Sequence, residues 1–185
     1  IYSSAIKKNN VELKFAKSNS IPSIPRSNIL AQLVSLKKTI AVSGSHGKTT
    51  TTSLIASVLS KSNYRPTIIN GGIINEYGTN TRLGSGKWMV VEADESDSTF
   101  LKLSSTISII TNIDEEHLDY YKSFSNLKKS FSKFITQVPF YGCAIVCGDN
   151  EHIRMIISNI STTKIIKYGF SSKNDIRATN IRTKD

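Results

Sequence analysis

One short segment constrains the fold of this chain more than any other: an apolar run that leads into two glycines and a lysine. Residues 39–43 read Thr-Ile-Ala-Val-Ser, a β-branched run typical of a buried strand, and Gly-Ser-His-Gly-Lys-Thr-Thr follows at 44–50. Residues 48–60 contain no glycine or proline, which favours a helix. A strand that turns through glycines into a helix is the building unit of parallel α/β sheets, so the segment predicts that fold class.

The loop at 44–50 has the composition of a phosphate-binding loop. Its glycines let main-chain N–H groups approach phosphate oxygens, and the helix after it directs the positive end of its dipole at the same anion. Lys48 can reach the terminal phosphates, and Thr49 can offer its hydroxyl to Mg²⁺. The pattern is the short form G-x-x-G-K-T, and a chance Gly-Lys-Thr turn is the alternative, which the flanking strand and helix disfavour. The predicted ATP-binding residues are Gly44, Ser45, His46, Gly47, Lys48, Thr49 and Thr50.

Further β-branched runs alternate with helical patterns along the chain. We predict strands at 39–43, 66–70, 88–93, 107–112, 144–147 and 164–168, and helices at 48–60, 124–138 and 151–158. Several strands are apolar on both faces, as expected when helices cover both sides of a sheet. The predicted fold is therefore α/β, a mostly parallel sheet with helices on both faces.

The ends of the sequence differ from its middle. Residues 1–38 are basic and polar, and Pro22 and Pro25 interrupt helix and strand alike, so we interpret this part as a connection that ends in a short amphipathic segment at 28–36. Residues 176–182 alternate like the start of another strand. We therefore expect a fragment of a longer protein, in which 1–34 close a preceding domain and its linker and 35–185 form a second domain without its C-terminal end.

Four carboxylates cluster where the run at 88–93 ends. Ligands of open α/β sheets gather at the carboxyl ends of strands, so Glu92 faces the same crevice as the phosphate loop and is our predicted Mg²⁺ ligand. An unpaired carboxylate inside an apolar strand is costly to bury, which argues for a cation beside it. For Glu95 and Asp97, capping of a following helix is an equally good interpretation.

A histidine stands among acids after the run at 107–112. An ordinary surface or core histidine is the more common case, but the position of His117 at the end of a strand suits a metal ligand or a contact to a substrate carboxylate. From spacing alone the two interpretations remain open.

Composition excludes several other classes. The formal net charge is +10, yet the lysines are scattered and no basic stripe is interleaved with aromatic residues, so we predict no nucleic-acid partner. No apolar run is long enough for a bilayer span and no export signal is present at the N-terminus, so we expect no membrane contact and a cytoplasmic location. Cys143 and Cys147 are predicted to be free thiols on one face of a strand.

These blocks, in this order, resemble the Mur ligase family. The resemblance runs through the loop at 44–50, Gly71-Gly72, the block Glu-Ala-Asp-Glu-Ser-Asp at 92–97, Thr-Asn-Ile at 111–113 and His-Leu-Asp at 117–119, and covers nearly the whole chain. It implies the ATP-binding central domain of a three-domain protein, whose first domain binds a UDP-sugar and whose last helps to hold ATP and an amino acid.

The resemblance also implies a reaction. The acidic block at 92–97 is similar to that of the family member that joins L-alanine to the lactyl carboxylate of UDP-N-acetylmuramate, with ATP consumed through an acyl phosphate. Lys48, Glu92 and His117 would then be catalytic: Lys48 would stabilise the transferring phosphoryl group, Thr49 and Glu92 would hold one Mg²⁺, and Glu92 with His117 a second. Glu116 departs from the family, which usually has Asp before that histidine.

Three other interpretations stay open at this point. They are a sibling ligase that recycles murein peptides, a nucleotide-binding regulatory or kinase-like module without the second metal, and a non-catalytic remnant. Because the first and last domains of the family are missing from the sequence, we expect this polypeptide to be inactive alone.

Overall fold

The computed structural model describes residues 1–3 and 5–182, and in them eight strands form one sheet. The strands are β1 (Lys38–Ser43), β2 (Thr67–Ile74), β3 (Thr79–Arg82), β4 (Trp88–Glu92), β5 (Ile107–Ile110), β6 (Cys143–Cys147), β7 (Ile165–Gly169) and β8 (Ile176–Arg177). Their order across the sheet is β3-β2-β4-β1-β5-β6-β7-β8. The pairing of β2 with β3 is antiparallel and the other described pairings are parallel.

Among the described residues, six α-helices and one 3₁₀ helix accompany the sheet, two of them before β1 and the others between strands. They are α1 (Val11–Ser18), α2 (Arg26–Ser35), α3 (Lys48–Lys61), the 3₁₀ helix (Thr99–Lys102), α4 (Leu118–Tyr121), α5 (Phe124–Thr136) and α6 (Glu151–Ile157). The predicted strands and helices are present with ends displaced by a few residues. The connection predicted over 1–38 is wrong in one respect, because α1 lies within it: Asn10 caps this helix, which buries none of its side chains and so leaves no apolar stripe in the sequence.

Helices cover both faces of the sheet, which confirms the predicted fold class. Alternate residues of β1 show this most clearly: Ala41 joins the larger core beneath α2, α5 and α6, while Ile40 and Val42 join a second core on the side of α3. In the larger core, the apolar stripe of α5 meets Phe100, whose ring centroid lies 5.3 Å from that of Phe131.

The first residues of the sheet domain share this larger core with α2. Val34 is fully buried in it, and its carbonyl accepts a hydrogen bond from Thr39 Oγ1 at 3.1 Å. Lys102 holds the start of α2 from the 3₁₀ helix, through contacts at 3.1 Å to Ser27 Oγ and 2.9 Å to Asn28 Oδ1. The predicted amphipathic segment at 28–36 is thus part of a packed helix rather than a loose tether.

Strand order explains how the three sequence blocks meet. β1 lies between β4 and β5, with Val42 beside Glu92 and Ser43 beside Ile110 in the register. The loop after β1, the acids after β4 and the polar residues after β5 therefore leave the sheet at one edge, where the carboxyl ends of parallel strands gather ligands.

The prediction for the two cysteines is confirmed by the fold. Cys143 and Cys147 are free, half-buried thiols at the two ends of β6, on one face as their spacing required. Within the part of the chain that is described, no helix has the length and apolarity that a bilayer span requires.

Candidate active site

The loop after β1 is shaped by glycine at two points. Gly44 has φ +136°, and a Cβ there would overlap Thr111 Oγ1, so only glycine lets the loop pass this close to the end of β5. Gly47 has φ +78° and is the left-handed residue from which α3 starts. The two glycines of the predicted motif thus have different roles. Gly44 lets the loop approach the end of β5 closely, and Gly47 provides the turn into α3.

Asn112 and Thr111, at the end of β5, fix the middle of this loop. The main-chain N–H of His46 donates to Asn112 Oδ1 at 2.8 Å, and the His46 carbonyl accepts from Asn112 Nδ2 at 3.1 Å and from Thr111 Oγ1 at 2.6 Å. The Ser45 N–H donates to the Asn112 carbonyl at 3.1 Å. The amides of Ser45 and His46, predicted to face phosphate, therefore have protein partners in this state.

The amides at the start of α3 are arranged differently. The first N–H groups of a helix have no acceptor inside it, and in α3 the Thr51 N–H is bonded to the Gly47 carbonyl as the ordinary ladder begins. No side chain among the described residues caps this helix, and no acidic residue stands in its first turn. The N–H groups of Lys48, Thr49 and Thr50 are thus the ones that the helix leaves for an anion.

Lys48 bends back over the loop. Its Nζ lies 2.7 Å from the Gly44 carbonyl oxygen, 3.1 Å from that of Ser45 and 2.8 Å from Glu95 Oε1. The ammonium group is therefore held at the mouth of the loop between the ends of β1 and β4.

Glu95 is the partner that the sequence left undecided between a functional role and helix capping. Its side chain is only 1% exposed, and Oε1 also lies 3.4 Å from His117 Nε2. Burial raises the pKa of the Glu95 carboxyl, and the hydrogen bond and charge of Lys48 oppose that rise. The acid that faces the lysine is Glu95, while Asp97 turns to cap the 3₁₀ helix by accepting from the Thr99 N–H at 3.1 Å.

Glu92 meets Thr49, as the sequence predicted. Glu92 Oε2 accepts hydrogen bonds from Thr49 Oγ1 at 2.9 Å and from the Gly71 N–H at 2.8 Å. A Cβ at position 71 would lie 2.7 Å from Glu92 Oε1, so any other residue there would displace this carboxylate. A carboxylate and a hydroxyl oxygen side by side form the hard donor set that suits Mg²⁺, which takes one or two protein oxygens and keeps its waters.

His117 lies beside Glu95, the acid that also contacts Lys48. His117, Glu95 and Glu116 each offer a possible metal-ligand atom within 4.8 Å of the other two. Among the described residues, this is the one cluster of three His, Cys, Asp or Glu side chains close enough to hold a metal ion. The sequence paired His117 with Glu92, whereas the structure places it with Glu95 and Glu116. His117 has φ +56°, a left-handed conformation that turns the chain from the end of β5 into α4.

Tyr121, from α4, completes the site without any signal in the sequence. Its hydroxyl donates to the main-chain carbonyl of Glu95, and burial raises the pKa of Tyr121 to about 12, so the hydroxyl keeps its proton at neutral pH. Asn112 belongs to the block at 111–113 that carries the family resemblance, but its role in holding the loop was not predicted, because an asparagine after a strand is indistinguishable from a turn residue.

A cavity of about 450 Å³ opens beside Lys48 and Glu92. Its apolar wall is formed by Leu30 and Leu33 of α2, and Arg26 at the start of that helix also lines it. The cavity thus combines an apolar wall with a few charged groups of both signs at the edge of the phosphate loop, a composition typical of small-molecule sites.

Comparison with known proteins agrees with this geometry. The sequence pattern of the Mur ligase middle domain matches residues 42–185, which include the loop, the acidic block and His117. The chain belongs to the Mur ligase family. Over all 185 residues it is 53% identical to the UDP-N-acetylmuramate–L-alanine ligase of Parvibaculum lavamentivorans, and it spans 38% of the length of that protein.

Solved structures of Mur ligases have the same fold. The UDP-N-acetylmuramate-alanine ligase MurC of Thermotoga maritima superposes with a TM-score of 0.80 at 27% identity, over 93% of this chain and 38% of that one. A ligase from Neisseria meningitides, described as UDP-N-acetylmuramate:L-alanyl-gamma-D-glutamyl-meso-diaminopimelate ligase, gives 0.83 at 21% identity, over 92% of this chain and 57% of that one. At that identity the second likeness shows the fold alone.

Proposed function

We propose that this chain is the ATP-binding part of an ADP-forming ligase that joins L-alanine to the lactyl carboxylate of UDP-N-acetylmuramate, a step of peptidoglycan precursor synthesis. The observation that carries the proposal is the convergence of Lys48, Thr49 and Glu92 at the start of α3. The 53% identity to a relative named for this reaction supports the choice of substrates.

The nucleotide is proposed to be ATP, with its outer phosphates at the start of α3. The N–H groups of Lys48, Thr49 and Thr50 are the donors that the helix leaves free, and the Lys48 ammonium lies at the same point. Donors fixed before the reaction begins need no reorganisation as charge moves between phosphate oxygens, which is the main protein contribution to phosphoryl transfer.

Thr49 and Glu92 are the residues proposed to hold Mg²⁺. Their oxygens lie 2.9 Å apart, one at the start of α3 and the other at the end of β4, so both could contact a single ion bound to the phosphates. When bound, Mg²⁺ would bridge phosphate oxygens and neutralise part of their charge. A second ion bound by His117 stays a proposal, and the geometry supports Glu95 and Glu116 rather than Glu92 as its neighbours.

The acceptor carboxylate is proposed to enter the cavity of about 450 Å³ beside Lys48. From there its oxygen attacks the γ-phosphorus of ATP, the bond to the ADP oxygen breaks, and an acyl phosphate forms. The amino group of L-alanine then attacks the acyl carbon and phosphate leaves, which yields an amide. Lys48 offsets the charge of the phosphoryl group throughout this sequence.

The complete reaction needs more than this chain. Because it spans 38% of its relative, the domains that the family resemblance implies before and after it are proposed partners, with residues 1–34 as the end of the first. A cytoplasmic location, where the nucleotide and UDP-sugar are available, is part of the same proposal. The 185-residue chain is expected to bind nucleotide and to release no phosphate above background.

Calorimetric titration of the chain with ATP in excess Mg²⁺ tests the nucleotide step. We expect measurable binding that Lys48→Ala weakens about tenfold or more, since it removes a charge-assisted bond to phosphate. Lys61→Ala, at the other end of α3, is the matched control and should leave the affinity unchanged. Absence of binding by the unmodified chain, or equal affinities in all three proteins, would contradict the proposal.

Amide formation separates a ligase from a simple nucleotide-binding module. In the complete protein, His117→Ala should reduce the rate at which UDP-N-acetylmuramate and L-alanine are joined by about 100-fold or more. No amide formation by the unmodified complete protein would favour a binding module, and an unchanged rate in the His117→Ala variant would contradict a catalytic role for His117. Robust phosphate release by the 185-residue chain alone would instead refute its expected inactivity.

A further inference from the structure

Glu95 is an unusual residue for its position. A glutamate side chain is seldom fully buried unless its charge is compensated, and this one is 1% exposed. Its Oε1 is close to two nitrogen atoms, the ammonium Nζ of Lys48 at 2.8 Å and the imidazole Nε2 of His117 at 3.4 Å, while its Oε2 is buried with no hydrogen-bond partner among the described residues. One oxygen therefore joins two blocks of the site, and the other is left unsatisfied.

The main chain around Glu95 leaves it little freedom. Its carbonyl accepts hydrogen bonds from the Tyr121 hydroxyl and from the Ser98 N–H, the latter at 3.2 Å. Tyr121 is itself buried and bonded to Ser98 Oγ at 3.1 Å. The main chain that carries Glu95 is thus fixed by the fold, and the carboxylate itself is hydrogen-bonded by Lys48.

Lys48 has no donor to spare in this state. An ammonium group has three N–H donors, and three protein oxygens surround Nζ: the carbonyls of Gly44 and Ser45 and the carboxylate of Glu95. A phosphate that binds Lys48 must therefore replace or share at least one of these contacts. The bond to Glu95 is the only one of the three that joins opposite charges, and such bonds are roughly twice as strong as neutral ones.

We propose that Glu95 is a positioning residue for Lys48: it aligns the ammonium across the loop and competes with the nucleotide phosphates for it. The affinity for ATP before the reaction is then lower than it would be without the Glu95 carboxylate. The same carboxylate keeps Lys48 and His117 aligned with each other. The inference rests on the proposed function, since it requires that Lys48 bind phosphate.

Glu95→Gln tests the competition directly, because it removes the charge and keeps the shape. We expect Mg²⁺-ATP to bind the 185-residue chain about tenfold more tightly after this change, since Lys48 is then released to the phosphates at a smaller cost. A residue with only a structural role would give the opposite sign, weaker binding together with a lower melting temperature. Glu95→Asp keeps the charge but withdraws it from Lys48, and should give an intermediate affinity.

A double-mutant cycle assigns the effect to Lys48. In the Lys48→Ala background, Glu95→Gln should no longer tighten the binding of Mg²⁺-ATP, because there is no ammonium group left for Glu95 and the phosphates to compete for. Equal tightening in both backgrounds would mean simple repulsion between Glu95 and the phosphates, and would overturn the proposal, as would unchanged or weaker binding by Glu95→Gln. Glu12→Gln, in the exposed first turn of α1, changes the net charge equally and is the matched control.

A failure of the positioning role proposed for Glu95 can be distinguished from a failure of the proposed nucleotide binding. If the unmodified chain binds ATP and loses affinity on Lys48→Ala, the nucleotide assignment holds whatever Glu95→Gln does. In the complete protein, Glu95→Gln should lower both kcat for amide formation and KM for ATP, because alignment of Lys48 is lost as competition is removed. A rise in KM with unchanged kcat would contradict the positioning role.

Discussion

Thr49 Oγ1 donates a hydrogen bond of 2.9 Å to Glu92 Oε2, and this bond joins the first turn of α3 to the last residue of β4. Had these two side chains been on opposite faces of the sheet, no shared metal site could exist. Their contact brings a helix N-terminus, an ammonium group and two hard oxygen donors together at the start of α3, where we propose that they act on one phosphate group.

Thr49→Val should weaken the binding of Mg²⁺-ATP by about tenfold or more, because it removes one proposed ligand and leaves Glu92 without its hydroxyl donor. The loss should be largest in excess Mg²⁺ and small in EDTA, as measured by calorimetry. Thr51→Val makes the same change two residues further along α3 and serves as the control. A loss of equal size with and without Mg²⁺ would argue against a metal role for Thr49.

Substitution of the two loop glycines by alanine should lower the free energy of unfolding by unequal amounts. At Gly47, where a Cβ would meet nothing within 4 Å, the cost is that of the left-handed conformation, about 1–2 kcal/mol. At Gly44 a Cβ would also overlap Thr111 Oγ1, so we expect roughly 3 kcal/mol or more. Urea unfolding of the two variants measures the difference, and equal values would show that the loop adapts freely at Gly44.

Phe134→Ala should destabilise the protein by about 3–5 kcal/mol, because the side chain is fully buried and packs on Phe100 with a centroid separation of 5.0 Å. Phe140→Ala is the matched control, since that ring is 97% exposed and its loss should change stability by at most about 0.5 kcal/mol. Thermal or urea unfolding compares the two. Similar losses would mean that the Phe134 site collapses around the cavity.

Asp149 should make stability depend on acid pH. Its carboxylate accepts from the Phe170 N–H at 2.6 Å, Asn174 Nδ2 at 2.8 Å and the Ser171 N–H at 3.1 Å, and these bonds, the one from Phe170 first, hold its pKa below the ordinary 3.8. A pKa that is lower in the folded state gives stability that is present above the unfolded-state pKa and is lost as pH falls through the folded-state pKa.

Urea unfolding across the acid range measures this contribution. Asp149→Asn should be less stable than the unmodified chain at neutral pH, and the gap should close as pH falls through the lowered pKa of Asp149. Asp119→Asn, a surface change of the same kind, controls for the general effect of lost charge. A gap that persists unchanged in acid would show that the amide is disfavoured by its shape and not by its charge.

Apolar patterns predicted the larger part of this fold. The runs that became β1, β4, β5 and β6 are apolar because helices cover both faces of the sheet, and burial is what such patterns record. β3 escaped prediction because Thr79–Arg82 is exposed throughout, so its strand geometry comes from pairing with β2 and leaves no alternation in the sequence.

The site was predictable where chemistry is local and not where it depends on three-dimensional proximity. Lys48 and Thr49 follow glycines in a known order, and Glu92 ends a strand, so all three could be placed near one another from the sequence. Which acid in 92–97 contacts Lys48 depends on how the chain turns after β4. Glu95 and Asp97 look alike in a linear pattern, so the sequence did not show that Glu95 is the partner of Lys48. The grouping of His117 with Glu95 has the same cause.

The burial of Val34 has a practical consequence for dissecting this protein. Since α2 covers β1 and the 3₁₀ helix, a fragment that starts at residue 35 would leave apolar surface of the sheet in contact with water. Such a fragment should aggregate or bind a hydrophobic dye even though every residue of the phosphate loop is retained. The helix shields the interior of the sheet from water, and the chain that enters its first turn has a fixed direction relative to the cavity beside Lys48.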